Sequence, residues 1–477
     1  MSPRCGDVEG WMQSYAPDAI REFPSRARAR RAGSRGATSA PQERMRRQRL
    51  RPAGQVLVGV TVVATARAWA IWPRSAGVIM SQDPALAQGT LRYMQLPMAE
   101  NRTEAYRIMR EAGPVIKTRR WYVLSSGEYV DYALKHPELF SSKRAFDLVG
   151  SPLPMVPIAF DPPEHTRYRH ILQPFVGPRE AAAWQPKVRS LVGMLMDSFA
   201  ERGHCDLVAE LAVPLPAQVF LTLFGLPMED RDRLIAWKEG MLGSPMLSGG
   251  KPTEQVIQAG AELFTYLVGH IEERRRHPDG AEDLLGCLLA DTSEDRLSDD
   301  ELLGLSFLFV LAGLDTVTSA LSTAFAALAA QPRLRRQIAA DPSVIPAAVE
   351  ELLRMDGPVV MLPRVAVQDI ELDGHTIPAG SEVQVAIAVA NRDPAEHADP
   401  DEIELRRQEP HHAFGGGPHR CLGSHLARME MREVLAEWHS RIPEYELAPG
   451  FVPRIAWPTG LVGLDTLPLV FLPHPSG

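Results

Sequence analysis

One stretch constrains this chain more than any other: Phe414-Gly-Gly-Gly-Pro-His-Arg-Cys421-Leu-Gly423. Three glycines and a proline lead into a single cysteine. Behind it, Leu422, Leu426, Met429, Val434 and Trp438 recur at helical spacing as far as Arg441. Cys421 therefore stands where a tight loop turns into a helix. Backbone N–H groups at a helix start lack intrahelical partners and carry partial positive charge. That setting is expected to lower the thiol pKa and favour thiolate, the form that binds metals. Glycines beside it let backbone approach a large flat ligand closely. For the cysteine alone, a buried unligated thiol is the plain alternative. A nucleotide loop is disfavoured, because no Lys-Ser/Thr pair follows the glycines.

The chain has 477 residues, 45% apolar and 23% charged, a globular composition. Its net charge of −8 argues against a general nucleic-acid binder. The four cysteines at 5, 205, 287 and 421 lack paired spacing. A disulfide framework and a zinc site are thereby disfavoured, and a reducing, cytoplasmic setting fits best. Residues 1–79 differ from the rest: they hold 14 Arg against 5 acidic residues, +9, leaving −17 for the remainder. The apolar run Val56–Ala66 has 11 residues, too short for a stable membrane span, which takes about 20. The expected organisation is a basic extension over 1–79, disordered or outside the working protein, and one domain over 80–477.

From Met80 onward the pattern is mainly α, with a small β part split between the two ends. Helices are expected over Thr103–Ala112 and Glu128–Lys135, with a short strand pair at Val115–Thr118 and Trp121–Ser125. Phe146–Pro157 reads as a proline-rich loop. In Asp161-Pro-Pro-Glu-His165-Thr-Arg-Tyr-Arg169, the prolines suit a helix start, and His165 and Arg169, four apart, share one face. Ser298-Asp-Asp-Glu301 is a capping box, and helical periodicity then continues to Ala330, about 48 Å at 1.5 Å per residue. The centre of that helix is apolar nearly all round, so it is expected to be buried. Asp315-Thr316 then follows Ala312-Gly313-Leu314. A buried carboxylate needs a partner or a task. The structural alternative is a kink in which the threonine bonds back to a carbonyl.

Taken together and in order, these pieces resemble the cytochrome P450 family. The cysteine loop is similar to its haem-binding loop, Ala312-Gly-Leu-Asp-Thr316 to its oxygen-activation motif, and Glu351-x-x-Arg354 to its core ion pair. The resemblance spans about residues 90–470. It implies the family's triangular, mainly α fold, with haem b between the long helix and the cysteine loop and Cys421 as iron ligand. It implies propionate contacts from His165, Arg169, Arg364 and His419, and cofactor contacts from Phe414, Gly415, Gly423, Ala312 and Gly313. Thr316 is expected to hold the reacting oxygen by hydrogen bond and Asp315 to relay protons inward. Arg392 is expected to complete the Glu351–Arg354 pair. Phe146–Pro157, Val359–Leu362 and Gly460-Leu461 fall where the family lines its pocket, although core packing explains them equally. The implied reaction is hydroxylation of a small or medium apolar substrate with O2. A ferredoxin and its reductase would supply electrons at a face carrying Arg167, Arg420 and Arg428. A peroxide-driven peroxygenase and a non-catalytic haem sensor are the alternatives.

Overall fold

The computed structural model describes residues 93–145, 151, 153–242, 253–278, 283–455, 457 and 461–473. The expectations for residues 1–79, most of the 146–152 loop and Gly460 lie outside them.

Helix α1 (Arg102–Glu111) starts where Asn101 accepts from the Glu104 N–H, and α2 (Gly127–Lys135) where Ser126 accepts from the Tyr129 N–H. Each cap satisfies an N–H that the helix itself leaves open. Between them lie β1 (Val115–Lys117) and β2 (Tyr122–Leu124), antiparallel, as the sequence suggests. After β3 (Phe140–Ser141) come α3 (Glu164–Val176), α4 (Pro178–Asp197), β4 (His204–Asp206), α5 (Pro214–Phe224), α6 (Arg231–Leu242), α7 (Glu254–Arg276) and α8 (Leu284–Ala290). The capping box forms as expected: the Ser298 side chain accepts from the Glu301 N–H, and the Glu301 carboxylate accepts from the Ser298 N–H.

The long helix is not continuous. It runs as α9 (Asp299–Gly313) and α10 (Thr316–Ala330), broken at Leu314-Asp315. Periodicity alone carried it through, because the apolar pattern continues on both sides. The described residues contain one span long and apolar enough to cross a membrane, Asp299–Ala330, and it is mostly buried in the protein. Beyond it lie α11 (Pro332–Ala340), α12 (Ile345–Asp356), β5 (Leu362–Ala366), β6 (Ile370–Leu372), β7 (His375–Ile377), β8 (Glu382–Val385), α13 (Ile387–Ala390), α14 (Ser424–Arg441), β9 (Tyr445–Leu447) and β10 (Pro468–Phe471).

The main sheet has the order β1-β2-β8-β5-β3, so both ends of the chain build it. The β2–β8 pair is parallel, with Leu124 opposite Val385, and the other pairs are antiparallel. A second sheet, β4-β10-β9, closes the C-terminal side. The cysteine-bearing helix α14 packs into the largest apolar core, where Trp438 meets Phe325 edge-on at 4.9 Å between ring centroids.

Candidate haem site and its surroundings

The cysteine loop is held from behind. Gly417 has φ +57, and a Cβ there would lie 1.9 Å from the Leu134 carbonyl of α2. No other residue fits that corner. Gly415 is also left-handed, at φ +66. The Cys421 N–H donates to the Phe414 carbonyl at 2.9 Å, closing the loop. The Arg428 guanidinium lies 4.2 Å from the Phe414 ring centroid and also donates to Glu350 at 2.7 Å. Gly423 is the N-cap of α14, and nothing lies within 4 Å of a Cβ added there. Its part is its N–H, which bonds to Cys421.

Cys421 is exposed. Its thiol pKa departs from the expectation of a lowered value: desolvation by the surrounding protein raises it, outweighing the Gly423 N–H and the Arg169, Arg428 and Arg420 charges. A helix start and three nearby cations do not suffice alone, because burial disfavours the thiolate.

Beside the loop, four side chains from three segments converge. The His165 and His419 rings lie 4.0 Å apart. Arg169 donates to the Arg420 carbonyl at 2.8 Å. Arg364, 4% exposed, donates only to its neighbour's carbonyl, Pro363, at 2.7 Å. Burial lowers the Arg364 pKa to about 10, so it remains a cation. Burial, then Arg169, pushes His165 down to about 4; burial, then Arg364, His165 and Arg169, pushes His419 to about 2. Asp161 is the acid bearing on both His165 and Arg364, and it already accepts from Ser141 Oγ at 2.5 Å and the Ser142 N–H at 2.8 Å. His419 Nε2 is buried without a partner. A recess of cations with an orphaned ring nitrogen fits a carboxylate-bearing cofactor.

Above the break, α9 opens on one side. Ala312 is exposed, and Leu308, Phe309, Gly313, Asp315 and Thr316 are half-buried, in a helix otherwise sealed. Leu422 packs against the same apolar cluster as Leu305, Val310 and Leu311. Thr316 Oγ1 donates to the Ala312 carbonyl at 3.1 Å, the back-bond of the kinked alternative. Asp315 receives the Lys238 ammonium of α6 at 3.0 Å; Lys238 is buried. At Gly313 the space of the missing side chain is taken by the Phe220 ring, 2.5 Å from an added Cβ. Of the expected pocket wall, Val359 bridges Leu461, and Pro154 places its carbonyl 2.3 Å from a Cβ added at Gly304 on α9.

The ion-pair expectation is half met. Arg354 donates to Glu351 at 2.7 and 2.8 Å, both residues nearly fully buried. The second arginine on Glu351 is Arg407, at 3.1 Å, and not Arg392. Arg392 instead grips the end of α12 through the Met355 carbonyl and Asp356. Both arginines lie in irregular chain, where spacing gives no register, so sequence reasoning missed Arg407. It missed Lys238 for a similar reason: a single lysine on an amphipathic helix shows no sign of a distant partner. Of the three arginines expected at a docking face, Arg167 is bound to Glu301 and Arg428 to Glu350. Arg420 alone is exposed without an ion-pair partner among the described residues.

Comparison with known proteins agrees with this geometry. The family profile described as Cytochrome P450 matches residues 157–342 and 340–438. The vitamin D(3) 25-hydroxylase of Pseudonocardia autotrophica is 36% identical over 333 residues, covering 69% of this chain and 80% of that protein. The mycinamicin IV hydroxylase/epoxidase of Micromonospora griseorubida is 35% identical over 323 residues, 66% and 79% of the two chains. The crystal structure of CYP109E1 from Bacillus megaterium in complex with testosterone superposes with a TM-score of 0.71 at 28% identity, covering 78% of this chain and 97% of that one.

Proposed function

This chain belongs to the cytochrome P450 family and is a haem-dependent monooxygenase, and from that premise we propose that it hydroxylates a small or medium apolar molecule with electrons from a ferredoxin and its reductase. In this reading the cofactor is haem b, and Cys421 is the residue that would hold its iron. When bound, a thiolate-ligated haem supplies the oxygen chemistry, because the sulfur pushes electron density that favours O–O cleavage.

The observation that carries this reading is the exposed Cys421 sulfur beside a cation recess that has no free anion of its own. In the proposal Arg169, Arg364, His165 and His419 bind the two cofactor carboxylates. The Gly423 N–H and nearby arginines favour the thiolate once a metal compensates for burial. The opened stripe of Leu308, Phe309 and Ala312 excludes water from the substrate side. Thr316 holds a hydroxyl proton at the helix break and Asp315 passes protons to it. Lys238 sets where the Asp315 carboxylate rests. Arg420 is the strongest candidate contact for the ferredoxin. Vitamin D(3) and testosterone, named with two of the relatives, are hydrocarbon-rich molecules, and this supports an apolar substrate here too. The working domain in this reading is residues 80–477, located in the cytoplasm, and a chain starting at Met80 is expected to take up haem like the full chain.

The test is the reduced carbon-monoxide difference spectrum. A thiolate-type Soret band is expected for the wild type and no such band for Cys421→Ser; an unchanged band in that variant sinks the assignment. Thr316→Ala is expected to keep oxygen consumption while product falls. Turnover with peroxide alone at the full rate favours the peroxygenase alternative.

A further inference from the structure

Helix α14 carries three glutamates, Glu430, Glu433 and Glu437, on one stripe by their three- and four-residue spacing. Two have partners. Glu433 accepts from Gln185 at 2.6 Å and Arg189 at 2.7 Å, both on α4. Glu437 lies 3.5 Å from Arg441, which also reaches Asp197 of α4 at 2.6 Å and the Gly193 carbonyl at 3.4 Å. These contacts keep a nearly constant offset, so α4 and α14 run parallel and side by side. Extended to Glu430, that offset reaches the stretch Ala182–Pro186 of α4. The polar side chains there are Gln185, already engaged by Glu433, and Trp184, whose indole N–H is not bonded to Glu430. Glu430 is 2% exposed, and its Oε2 has no hydrogen-bond partner.

The other elements packed most extensively on α14 are α10, α11 and α12. Helix α10 has no charged residue. On α11, Arg335 and Arg336 are bound to Glu444. On α12, Glu350 is bound to Arg428, with Arg432 at 3.8 Å, and Glu351 and Arg354 bind each other. On α4, Lys187 lies over the Trp184 ring. Burial is the one cause acting on Glu430, and no charge from these elements or from its own helix contributes.

We propose that Glu430 is kept as an uncharged carboxylic acid, and that this single proton links the packing of the Cys421-bearing helix to pH. The geometry calls for it: among the described residues no cation pairs with Glu430 and no donor reaches its buried Oε2, so a charge there would be uncompensated. Burial raises its pKa to about 8 from 4.5. The sign follows. Between those two values the folded chain holds one proton more than the unfolded chain, so stability falls as pH rises and levels off above about 8. Above that point the new charge sits in the α4–α14 seam. Helix α14 begins three residues after Cys421, so any relaxation of the seam is felt at the sulfur.

The experiment is urea unfolding of the full chain from about pH 5 to about pH 9.5, for wild type, Glu430→Gln and Glu430→Met. The ratio of the wild-type folding constant to that of Glu430→Gln is expected to drop about tenfold per pH unit up to about pH 8, then hold. A ratio that does not change with pH overturns the proposal. Infrared spectra of the wild type give a second reading: a protonated-carboxyl band at pH 7 that fades near pH 8. If Glu430→Gln does not fold, Glu430→Met replaces it. If neither folds, the wild-type band decides, and its absence at pH 7 is fatal. Neither readout uses haem or turnover, so both stand apart from the proposed reaction.

Discussion

Two buried charge clusters flank this molecule's chemistry, and they are built on opposite plans. In the first, Glu351 accepts from Arg354, Arg407 and the Glu404 N–H, while Arg354 also donates to the carbonyls of Asn391, Pro400 and Glu402. The carboxylate there is shared by two arginines, and their remaining donors meet backbone carbonyls of the chain. In the second, His165, Arg169, Arg364 and His419 crowd together, Arg364 donates only to the adjacent carbonyl and His419 Nε2 to nothing. The first cluster is finished by folding. The second is left incomplete, and the missing charge has the sign and valence of a ligand carboxylate. Burial alone therefore does not mark a functional site; burial without a counter-charge does.

The contrast can be broken most severely on the finished side. Arg354→Met takes from Glu351 its closest cation, leaving Arg407 and the Glu404 N–H, and orphans three backbone carbonyls; it is expected to lower unfolding stability by about 3 kcal/mol in a urea titration. The same kind of change in the open recess should behave differently. Arg364→Met removes an uncompensated cation, so the haem-free protein is expected to be no less stable. Haem binding, measured by titration, should weaken by about 10- to 100-fold, the worth of a charged hydrogen bond. Equal stability losses in the two variants would erase the distinction. Lys238→Met tests the intermediate case. Its partner Asp315 is part exposed, so a loss of about 1–2 kcal/mol is expected, smaller than for Arg354.

The mildest test uses acid. His165 folds with its pKa pushed down to about 4 from 6.5, chiefly by burial. The unfolded chain then binds more protons between those values, so stability is lost as pH falls from about 6.5 toward 4. His165→Gln is expected to flatten that slope in the haem-free protein. Bound carboxylates favour the imidazolium, so haem should flatten it as well. A slope equal in both forms would mean that no anion enters the recess.

Much of this was readable from residue types. The cysteine loop, the capping box at Ser298–Glu301, the first two helices and the strand pair between them follow from local rules: glycine punctuation, a serine three before a glutamate, apolar periodicity. The four recess residues are named together through the family resemblance, and the fold places their side chains side by side. What was not readable depends on distant contact. The break at Leu314-Asp315 leaves no mark on periodicity. Arg407 and Arg392 are indistinguishable until the irregular segment after α13 is folded around Arg354. That Phe220 fills the space beside Gly313 is likewise invisible until α5 packs against α9. The thiol of Cys421 shows that local signals can be outweighed in magnitude, since desolvation exceeds the helix-start effect.

The corner where Gly417 meets the Leu134 carbonyl bears on how such a protein can diversify. The ledge beneath the sulfur is wedged against another helix with no slack, so drift at that ledge is punished at once. In the proposed reading the roof would be made of Leu308, Phe309, Val359 and Leu461, ordinary apolar side chains that can grow or shrink one at a time. New guests are therefore acquired from above, while the anvil below stays the same.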